Sequence, residues 1–520
     1  MDVSPDIGSP LKQYEKQMKK LYILVIALLA VTFSQAQDIT DAVRYSSEEL
    51  TGTARFRAMS GAFGALGGDL SSLNINPAGS AVFLNSFATV TLNHNQRNND
   101  TRYFSGITSN ENSGINFDQV GAVLVFNSSD QENKWGKFTL GVNYAQTNNF
   151  DDSYVARGTN SSSIDQYFLG YADGIPLEFL DILPNETQTD LYRFLGEEQG
   201  FGAQQAFLGY QGFILNPVSE DLDNTKYISA LGSGTFNQEY SLASTGLNGK
   251  FTFNFASEFN DFLYLGANLN SHFLNFDRGT RLIETNNNAG SGTNEVIFTN
   301  NLSTTGNGFS FQLGTIAKLN ETFRVGLSYE SPTWFTISEQ TTQRLETFRT
   351  QLNERNVVNP NVVNIYPDYR LKTPGKLTGS LAVLFGTTGL ISFDYSYKDY
   401  SSTELRPTND PEFMFQNNLI SNELKAASIY RIGGEYRLEN WSLRGGYRFE
   451  ESPYENETTL GDLNGYSLGL GYNFGNIKLD LAYDNSTKTD NPQLYQVGLT
   501  NTANIERDFS NVILSLSFGI

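Results

Sequence analysis

Hydrophobic and polar residues alternate along most of the chain, which is the pattern of β-strands with two different faces. Residues 466–475 alternate between Tyr, Leu or Phe and Ser, Gly or Asn. The turn Gly475-Asn476 follows, and residues 477–484 then alternate in the same way, so the two segments predict a β-hairpin. Residues 512–520 repeat the pattern at the end of the chain. The period of two therefore predicts an all-β protein.

The polar faces of these strands indicate what the apolar faces contact. They carry Gly, Ser, Asn and charged residues, while aromatic residues gather toward the strand ends. An outer-membrane β-barrel has this arrangement, because its apolar side chains face lipid, its polar side chains face the lumen and its aromatic residues lie at the interfaces. A large secreted β-sandwich or propeller, whose apolar faces point inward, is the alternative.

Fourteen strands can be placed on the chain, an even number as bacterial single-chain barrels require. Their predicted ranges are 85–96, 115–127, 136–148, 236–257, 261–276, 295–319, 322–340, 368–386, 389–400, 427–438, 441–454, 464–475, 477–488 and 508–520. The pattern thus predicts an antiparallel, multi-pass barrel of the bacterial outer membrane over residues 85–520.

The links between the strands differ greatly in length. Short links such as 319–321, 386–388 and 439–440 are predicted to be periplasmic turns. The longest insert, 151–235, is predicted to be an extracellular loop with helical stretches near 164–179 and 189–198. Long loops on a barrel more often form functional caps than serve as simple connections.

Composition excludes several classes of function. The chain has no Cys and two His, His94 and His272, so it cannot carry a disulfide framework, a thiolate metal site or a His-rich centre. The formal net charge is −21, which argues against nucleic-acid binding. Both His lie in predicted strands without a Gly-x-Ser-x-Gly elbow, so no enzymatic activity, catalytic residue, metal or cofactor is predicted.

The N-terminus resembles a secretory signal peptide. Lys19 and Lys20 precede an apolar run over 21–33, and Ser-Gln-Ala at 34–36 offers a cleavage site. The run is shorter than the roughly 20 residues that span a membrane. We expect residues 1–36 to be removed, with Met18 as the true start.

The segment before the first strand carries two motifs. Residues 57–63 read Arg-Ala-Met-Ser-Gly-Ala-Phe, and residues 76–79 read Asn-Pro-Ala-Gly. With the export signal and about fourteen strands, these motifs make the chain resemble the FadL/TodX family, and within it the versions from Bacteroidetes-type bacteria. The resemblance implies a barrel plugged by an N-terminal segment, here residues 37–84, which we call the hatch.

The resemblance also implies a function. Family members import hydrophobic molecules, such as long-chain fatty acids or hydrocarbons, through capture outside the cell, passage to a site in the barrel and hatch-gated lateral release into the membrane. The implied partners are hydrophobic small molecules and outer-membrane lipid, and the barrel is expected to be a monomer. Some relatives serve protein-secretion machinery, so a docking platform for secretion-system proteins is the alternative. A general aqueous porin is disfavoured by the apolar hatch.

Three groups of residues are candidates for the transport path. The first consists of hatch residues that line the path or merely anchor the hatch: Phe56, Met59, Phe63, Leu66, Asn76, Pro77 and Ala78. The second is an apolar run in the long insert, predicted to form a capture groove or a small loop core: Phe168, Tyr171, Leu177, Phe179 and Leu180. The third is lumen charge that pairs with a fatty-acid carboxylate or neutralises itself: Arg444, Arg448 and Glu450.

Overall fold

The computed structural model describes residues 38–130 and 134–520, so the predicted signal peptide 1–36 and the start at Met18 lie outside the described residues. Fourteen antiparallel strands form a closed barrel, which confirms the predicted fold class and strand number. In chain order the strands are β1 (Phe87–Tyr103), β2 (Gly106–Asn127), β3 (Trp135–Asn149 and Asp152–Asn160), β4 (Phe236–Phe259), β5 (Leu263–Thr285), β6 (Glu295–Lys318), β7 (Phe323–Glu330 and Trp334–Arg349), β8 (Glu354–Val358, Asn364–Ile365, Tyr369–Lys372 and Lys376–Phe385), β9 (Gly389–Asp399 and Glu404–Arg406), β10 (Ala426–Leu438), β11 (Trp441–Glu450), β12 (Leu463–Asn473), β13 (Ile477–Asp490) and β14 (Asn504–Gly519).

The barrel closes because the last strand pairs with the first. β14 runs antiparallel to β1 from Phe87↔Gly519 to Arg102↔Asn504. The predicted short turns 319–321, 386–388 and 439–440 all lie at the end where β1 begins, which we call the turn end. The long connections lie at the opposite end, which we call the insert end.

The apolar faces of the strands point outward. On β12, Tyr466, Leu468 and Leu470 are 49%, 59% and 40% exposed, whereas the alternate Ser467 is buried. Exposed aromatic side chains gather at the turn end, and they include Trp135, Phe323, Phe385, Trp441 and Phe474. This outer surface is the apolar band with an aromatic girdle that a lipid bilayer requires.

The hatch lies inside the barrel and runs from the insert end to the turn end. It contains helices α1 (Ile39–Ser46) and α2 (Ala54–Ala58) and two 3₁₀ turns, Leu70–Asn74 and Pro77–Val82. Each element begins at a residue whose side chain accepts a backbone N–H: Asp38, Thr53, Asp69 and Asn76. Such caps let short elements persist, because few intrahelical bonds hold them.

The insert end is closed in part by helices. The long insert contains α3 (Asp165–Ala172), α4 (Gln188–Glu198) and α5 (Phe201–Gln211), and α6 (Pro411–Glu423) lies in a later connection. The predicted insert 151–235 begins later than expected, because β3 continues as Asp152–Asn160 by pairing with β4. A strand above the membrane needs a backbone partner but no apolar face, so alternation did not reveal it. Within the described residues, no helix has the length and apolar character needed to cross a membrane.

Candidate functional site

Two groups of wall glycines make room for the hatch backbone. Gly266 of β5 and Gly314 of β6 are directly opposite each other. A Cβ atom at Gly266 would lie 2.4 Å from the Ala78 nitrogen and within 2.5 Å of Pro77, and one at Gly314 would lie 2.0 Å from the Asn76 side-chain oxygen. The predicted hatch residues Asn76, Pro77 and Ala78 therefore rest on this first glycine seat, where a larger wall residue would collide with them.

The second glycine seat lies under the other hatch motif. Gly433 of β10 and Gly446 of β11 are also directly opposite each other. A Cβ atom at Gly433 would lie 2.5 Å from the Met59 carbonyl oxygen. One at Gly446 would lie 2.6 Å from the Met59 carbonyl carbon and 2.7 Å from the Ser60 nitrogen. The hatch thus contacts the wall backbone to backbone at two levels.

Polar wall side chains bind the hatch as well. One carboxylate oxygen of Asp394 accepts hydrogen bonds from the backbone nitrogens of Phe63 and Gly64, at 3.0 and 2.9 Å. The hydroxyl oxygens of Ser60 and Ser467 lie 2.8 Å apart. These bonds satisfy hatch groups that are buried away from water, where an unpaired backbone N–H is costly.

The apolar residues predicted to line a ligand path lie in the interior of the hatch. Phe56, Met59, Phe63 and Leu66 are at most 3% exposed and form one cluster with Leu50 and apolar residues of β8 and β9. The ring centroids of Phe56 and Phe63 are 5.4 Å apart. In this arrangement they hold the hatch together. Their role in lining a ligand path stays a prediction, and it requires the hatch to move.

A cavity of about 1210 Å³ lies between the hatch and the insert end. Its wall near the hatch is charged, and it includes Arg57, Arg97, Asp118, Arg431, Arg448, Glu450 and Lys488. Its wall near the insert end mixes apolar and polar residues, with Ile39, Phe201, Tyr240, Phe415, Leu419 and Tyr495 beside Asn300, Gln343, Glu412 and Gln493. The volume exceeds that of most small-molecule sites, so an extended amphiphile fits.

Two of the predicted lumen charges line this cavity, together with an arginine that sequence reasoning missed. Arg448 Nη1 lies 3.3 Å from Glu450 Oε1. Arg431 lies directly opposite Arg448 on the neighbouring strand, and its guanidinium is 3.9 Å from Glu450. Two like charges that lie directly opposite each other on neighbouring strands, such as Arg431 and Arg448, destabilise a sheet. Alternation along β10 places Arg431 on the inward face with Gly433, which is the signal that could have found it.

The third predicted lumen charge lies deeper. Arg444 is buried between Glu435 and Asp480, at 2.7 and 2.6 Å, and Glu435 also binds Arg55 of the hatch at 2.8 Å. Arg444 therefore supports the hatch from the wall and does not reach the cavity. No group of three or more His, Cys, Asp or Glu side chains suited to a metal ion occurs in residues 38–130 or 134–520.

The predicted capture residues of the insert are packed into its core. Phe168, Leu177 and Leu180 are at most 1% exposed. Phe168 and Leu180 belong to one apolar cluster, and the partly buried Tyr171 and Phe179 pack against it. None of the five lines the large cavity. In this arrangement the five residues form a loop core, which was one of the two predicted roles. The other role, capture of a ligand, stays a prediction.

Residues of α5, α6 and the connection before β14 line the cavity instead. Phe201 and Phe415 lie on those helices, Tyr495 lies in that connection, and Phe415 is 46% exposed. We call these three residues the aromatic mouth. Sequence reasoning missed it because the three aromatics come from connections far apart in the chain. The run Phe413-Met414-Phe415 was the one available signal.

The wall has a gap in its hydrogen-bond ladder between β2 and β3. Pairing runs from Asn127↔Lys137 to Gln119↔Ala145 and stops there, although both strands continue toward the insert end. Beyond that point, no backbone ladder joins β2 to β3 in the described part of the chain, and the second piece of β3 pairs with β4. Nearer the insert end, side chains of Thr108, Asn110 and Asn112 bond to Val155 and Ser153 and rejoin the two strands. We call the unbridged stretch beside residues 113–118 the wall gap.

The hatch fills the wall gap from the lumen. On the β3 edge, the Glu49 nitrogen donates to the Thr147 carbonyl oxygen at 2.9 Å. On the β2 edge, Arg57 Nη1 donates to Asp118 Oδ2 at 2.7 Å. Arg57, Asp118 and Gln146 also line the cavity, so the cavity, the hatch and the wall gap meet here.

Comparison with known proteins agrees with this architecture. A family described as outer membrane protein transport protein (OMPP1/FadL/TodX) matches residues 222–517, more than half of the chain, in a region that excludes the hatch. Outer membrane protein P1 of Haemophilus influenzae is 28% identical over 192 residues, which are 34% of this chain and 37% of that relative.

Two solved structures share the fold over nearly their whole length. A FadL homologue of Pseudomonas aeruginosa aligns with 91% of this chain and 99% of its own, with a TM-score of 0.54 and 12% identity. The toluene transporter TodX of Pseudomonas putida aligns with 91% of this chain and 100% of its own, with a TM-score of 0.50 and 13% identity. Together with the outward apolar band, the family match identifies an outer-membrane protein: the chain belongs to the OMPP1/FadL/TodX family.

Proposed function

We propose that this protein carries hydrophobic compounds, such as long-chain fatty acids, passively across the outer membrane. The observation that supports this most directly is the cavity of about 1210 Å³, whose large apolar side chains, such as Phe201 and Leu419, lie toward the insert end, while Arg431 and Arg448 lie toward the hatch. A long-chain carboxylic acid has the same division between an apolar chain and a charged head. An apolar compound requires a dry path through the hydrated sugar layer, and such a wall offers one.

The ligand would be captured at the aromatic mouth. Phe201, Phe415 and Tyr495 all line the cavity toward the insert end, and aromatic side chains offer much apolar area. From there the ligand passes into the cavity, and its head group reaches Arg431 and Arg448 beside the hatch.

Release would be lateral, through the wall gap. Two features support this direction. The cavity reaches the gap at Asn116 and Asp118, and the outward side chains beside it, Ile115 and Phe117, are 77% and 47% exposed on the lipid-facing surface. The hatch blocks the gap from the lumen, so it has to move before a ligand passes. Release into the membrane keeps an apolar ligand out of water.

Uptake of labelled oleate by cells that lack their own fatty-acid channel and express this protein tests the proposal. Protease accessibility of the insert shows that the barrel is folded and exposed at the cell surface. We expect saturable oleate uptake above that of cells with an empty vector. A surface-exposed barrel that takes up neither oleate nor an aromatic hydrocarbon would overturn the proposal and favour a docking platform for secretion proteins.

Changing Phe415 to Ser is expected to reduce oleate uptake about fivefold, since losing one partly exposed aromatic from the mouth costs on the order of 1 kcal/mol of apolar contact. The matched control is Met414→Ser, because Met414 is 51% exposed on the same helix and does not line the cavity. Initial rates at low oleate concentration measure the effect. Equal rates for both variants would argue against capture at the mouth.

A further inference from the structure

Asp118 owes its inward position to an irregularity in β2. The register between β1 and β2 passes from Thr91↔Gln119 to Leu92↔Phe117, so Asp118 is an extra residue without a partner on β1. Such a β-bulge turns a side chain away from its alternating direction. Asp118 and Gln119 are consequently both buried, whereas strict alternation would turn one of them outward.

The bulge lies at the edge of the wall gap. Gln119 is the last β2 residue that pairs with β3, and Asp118 is the first beyond the ladder. The Asp118 carboxylate thus belongs to a stretch of β2, residues 113–118, that has no backbone ladder to β3. Whatever holds this carboxylate also holds the free edge of β2.

Arg57 holds it from the hatch. Its Nη1 donates to Asp118 Oδ2 at 2.7 Å, while Nε and Nη2 donate to the two oxygens of Asp484 at 2.7 and 3.1 Å. Asp484 lies on β13, within the continuous ladder between β12 and β14. Arg57 is only 2% exposed, yet it lines the cavity. One guanidinium therefore joins a fixed wall carboxylate to the carboxylate at the gap.

We propose that the Arg57–Asp118 ion pair is a latch that keeps the wall gap closed, and that the anionic head group of a ligand opens it by taking the place of Asp118 on Arg57. This inference rests on the proposed transport function and makes Arg57 a positioning residue for release. Arg57 keeps its two bonds to Asp484 during the exchange, so its charge is never left unpaired. A ligand carboxylate matches the carboxylate that it displaces, because both accept from the same guanidinium nitrogen.

The latch predicts different behaviour for acids and for neutral compounds. A neutral ester of the same chain enters the same cavity but cannot compete for Arg57. Wild-type protein should therefore take up oleate faster than methyl oleate. Asp118→Asn removes the competing charge with little change in shape, so uptake of methyl oleate should rise at least about threefold and approach that of oleate. Asp508→Asn is the control, since it removes the charge of a wall carboxylate that accepts from Asn485 and does not line the cavity, and it should leave the ratio of the two rates unchanged.

A second measurement follows the gap itself. Asn112 of β2 and Ser153 of β3 join the two strands at the margin of the gap nearer the insert end, where Ser153 Oγ donates to Asn112 Oδ1 at 3.0 Å. The chain has no Cys, so Asn112→Cys combined with Ser153→Cys places a single thiol pair at this margin. Oleate should slow formation of this disulfide in otherwise wild-type protein, and Asp118→Asn should slow it without oleate.

The outcomes separate this inference from the proposed function. Absence of uptake of both oleate and methyl oleate by surface-exposed wild-type protein would refute transport itself. Normal oleate uptake, together with an unchanged rate ratio in Asp118→Asn and an unchanged rate of cross-linking, would overturn the latch while leaving transport in place. If Asp118→Asn fails to reach the surface, the test is the effect of oleate on cross-linking in the protein that carries only Asn112→Cys and Ser153→Cys, and an unchanged rate there would overturn the latch.

Discussion

Oxidising a cysteine pair placed at Ser60 and Ser467 is expected to stop uptake of labelled oleate. The two hydroxyl oxygens lie 2.8 Å apart between the hatch and β12, so Cys side chains at these positions are close enough for a disulfide. The bond would tie the hatch to the wall three residues from Arg57. If release requires the hatch to leave the wall gap, the oxidised protein should lose more than about nine-tenths of its uptake, and a reductant should restore it.

Two properties of the chain allow the loss of uptake to be assigned to the introduced disulfide. It contains no native Cys, so the introduced pair is the only source of a disulfide. Thr378 and Ser396 provide the control, because their hydroxyl oxygens are also 2.8 Å apart but belong to the directly paired strands β8 and β9. A disulfide there joins parts of the wall that are already joined, and uptake should persist. Full uptake with the Ser60–Ser467 pair oxidised would refute hatch-gated release.

Changing Gly446 to Leu should have the opposite effect and loosen the hatch. The second glycine seat leaves no space for a side chain, since even a Cβ atom would lie 2.6 Å from Met59 and 2.7 Å from Ser60. Overpacking at such a site costs about 1–3 kcal/mol, and the hatch can relieve it by moving away from the wall. We expect the variant to admit large antibiotics and dyes that wild-type cells exclude, and to raise single-channel conductance in planar bilayers.

The neighbouring glycine separates displacement of the hatch from general damage to the barrel. Gly445 lies between the outward Leu443 and Tyr447, and a Cβ atom there would meet nothing closer than 3.7 Å. Gly445→Leu adds an apolar side chain that faces lipid, so permeability should stay at the wild-type level. Equal leakage in the two variants would mean that the glycine seat does not position the hatch.

The sequence predicted the wall of the barrel well for a simple physical reason. In a strand that separates lipid from a polar lumen, every second residue must be apolar, so the rule can be read locally without knowing which strands pair. The range 464–475 was predicted for β12, and the structure has Leu463–Asn473. Where a strand leaves the membrane the rule no longer applies, and there the prediction stopped early: β1 continues to Tyr103 beyond the predicted end at residue 96.

The candidate site was harder to predict because its parts are distant in sequence. Arg448 and Glu450 were found because they alternate on one strand, but the position of Arg431 opposite Arg448 required knowledge of the register between β10 and β11. The aromatic mouth combines residues from three connections, such as Phe201 and Tyr495. The inward turn of Asp118 depends on a one-residue bulge, which alternation alone cannot show.

The sequence by itself determined which face of the wall contacts lipid and which contacts the polar lumen. Period-two alternation, an apolar outer face and an aromatic girdle follow from contact with lipid, and each is a local property of the chain. Only the tertiary structure decided which hatch residues are buried, which residues line the cavity and which ion pair lies at the wall gap. Those features depend on register and on contacts between segments such as Arg57 and Asp484, which are hundreds of residues apart. Closing the barrel brings such segments together, and no local pattern encodes that closure.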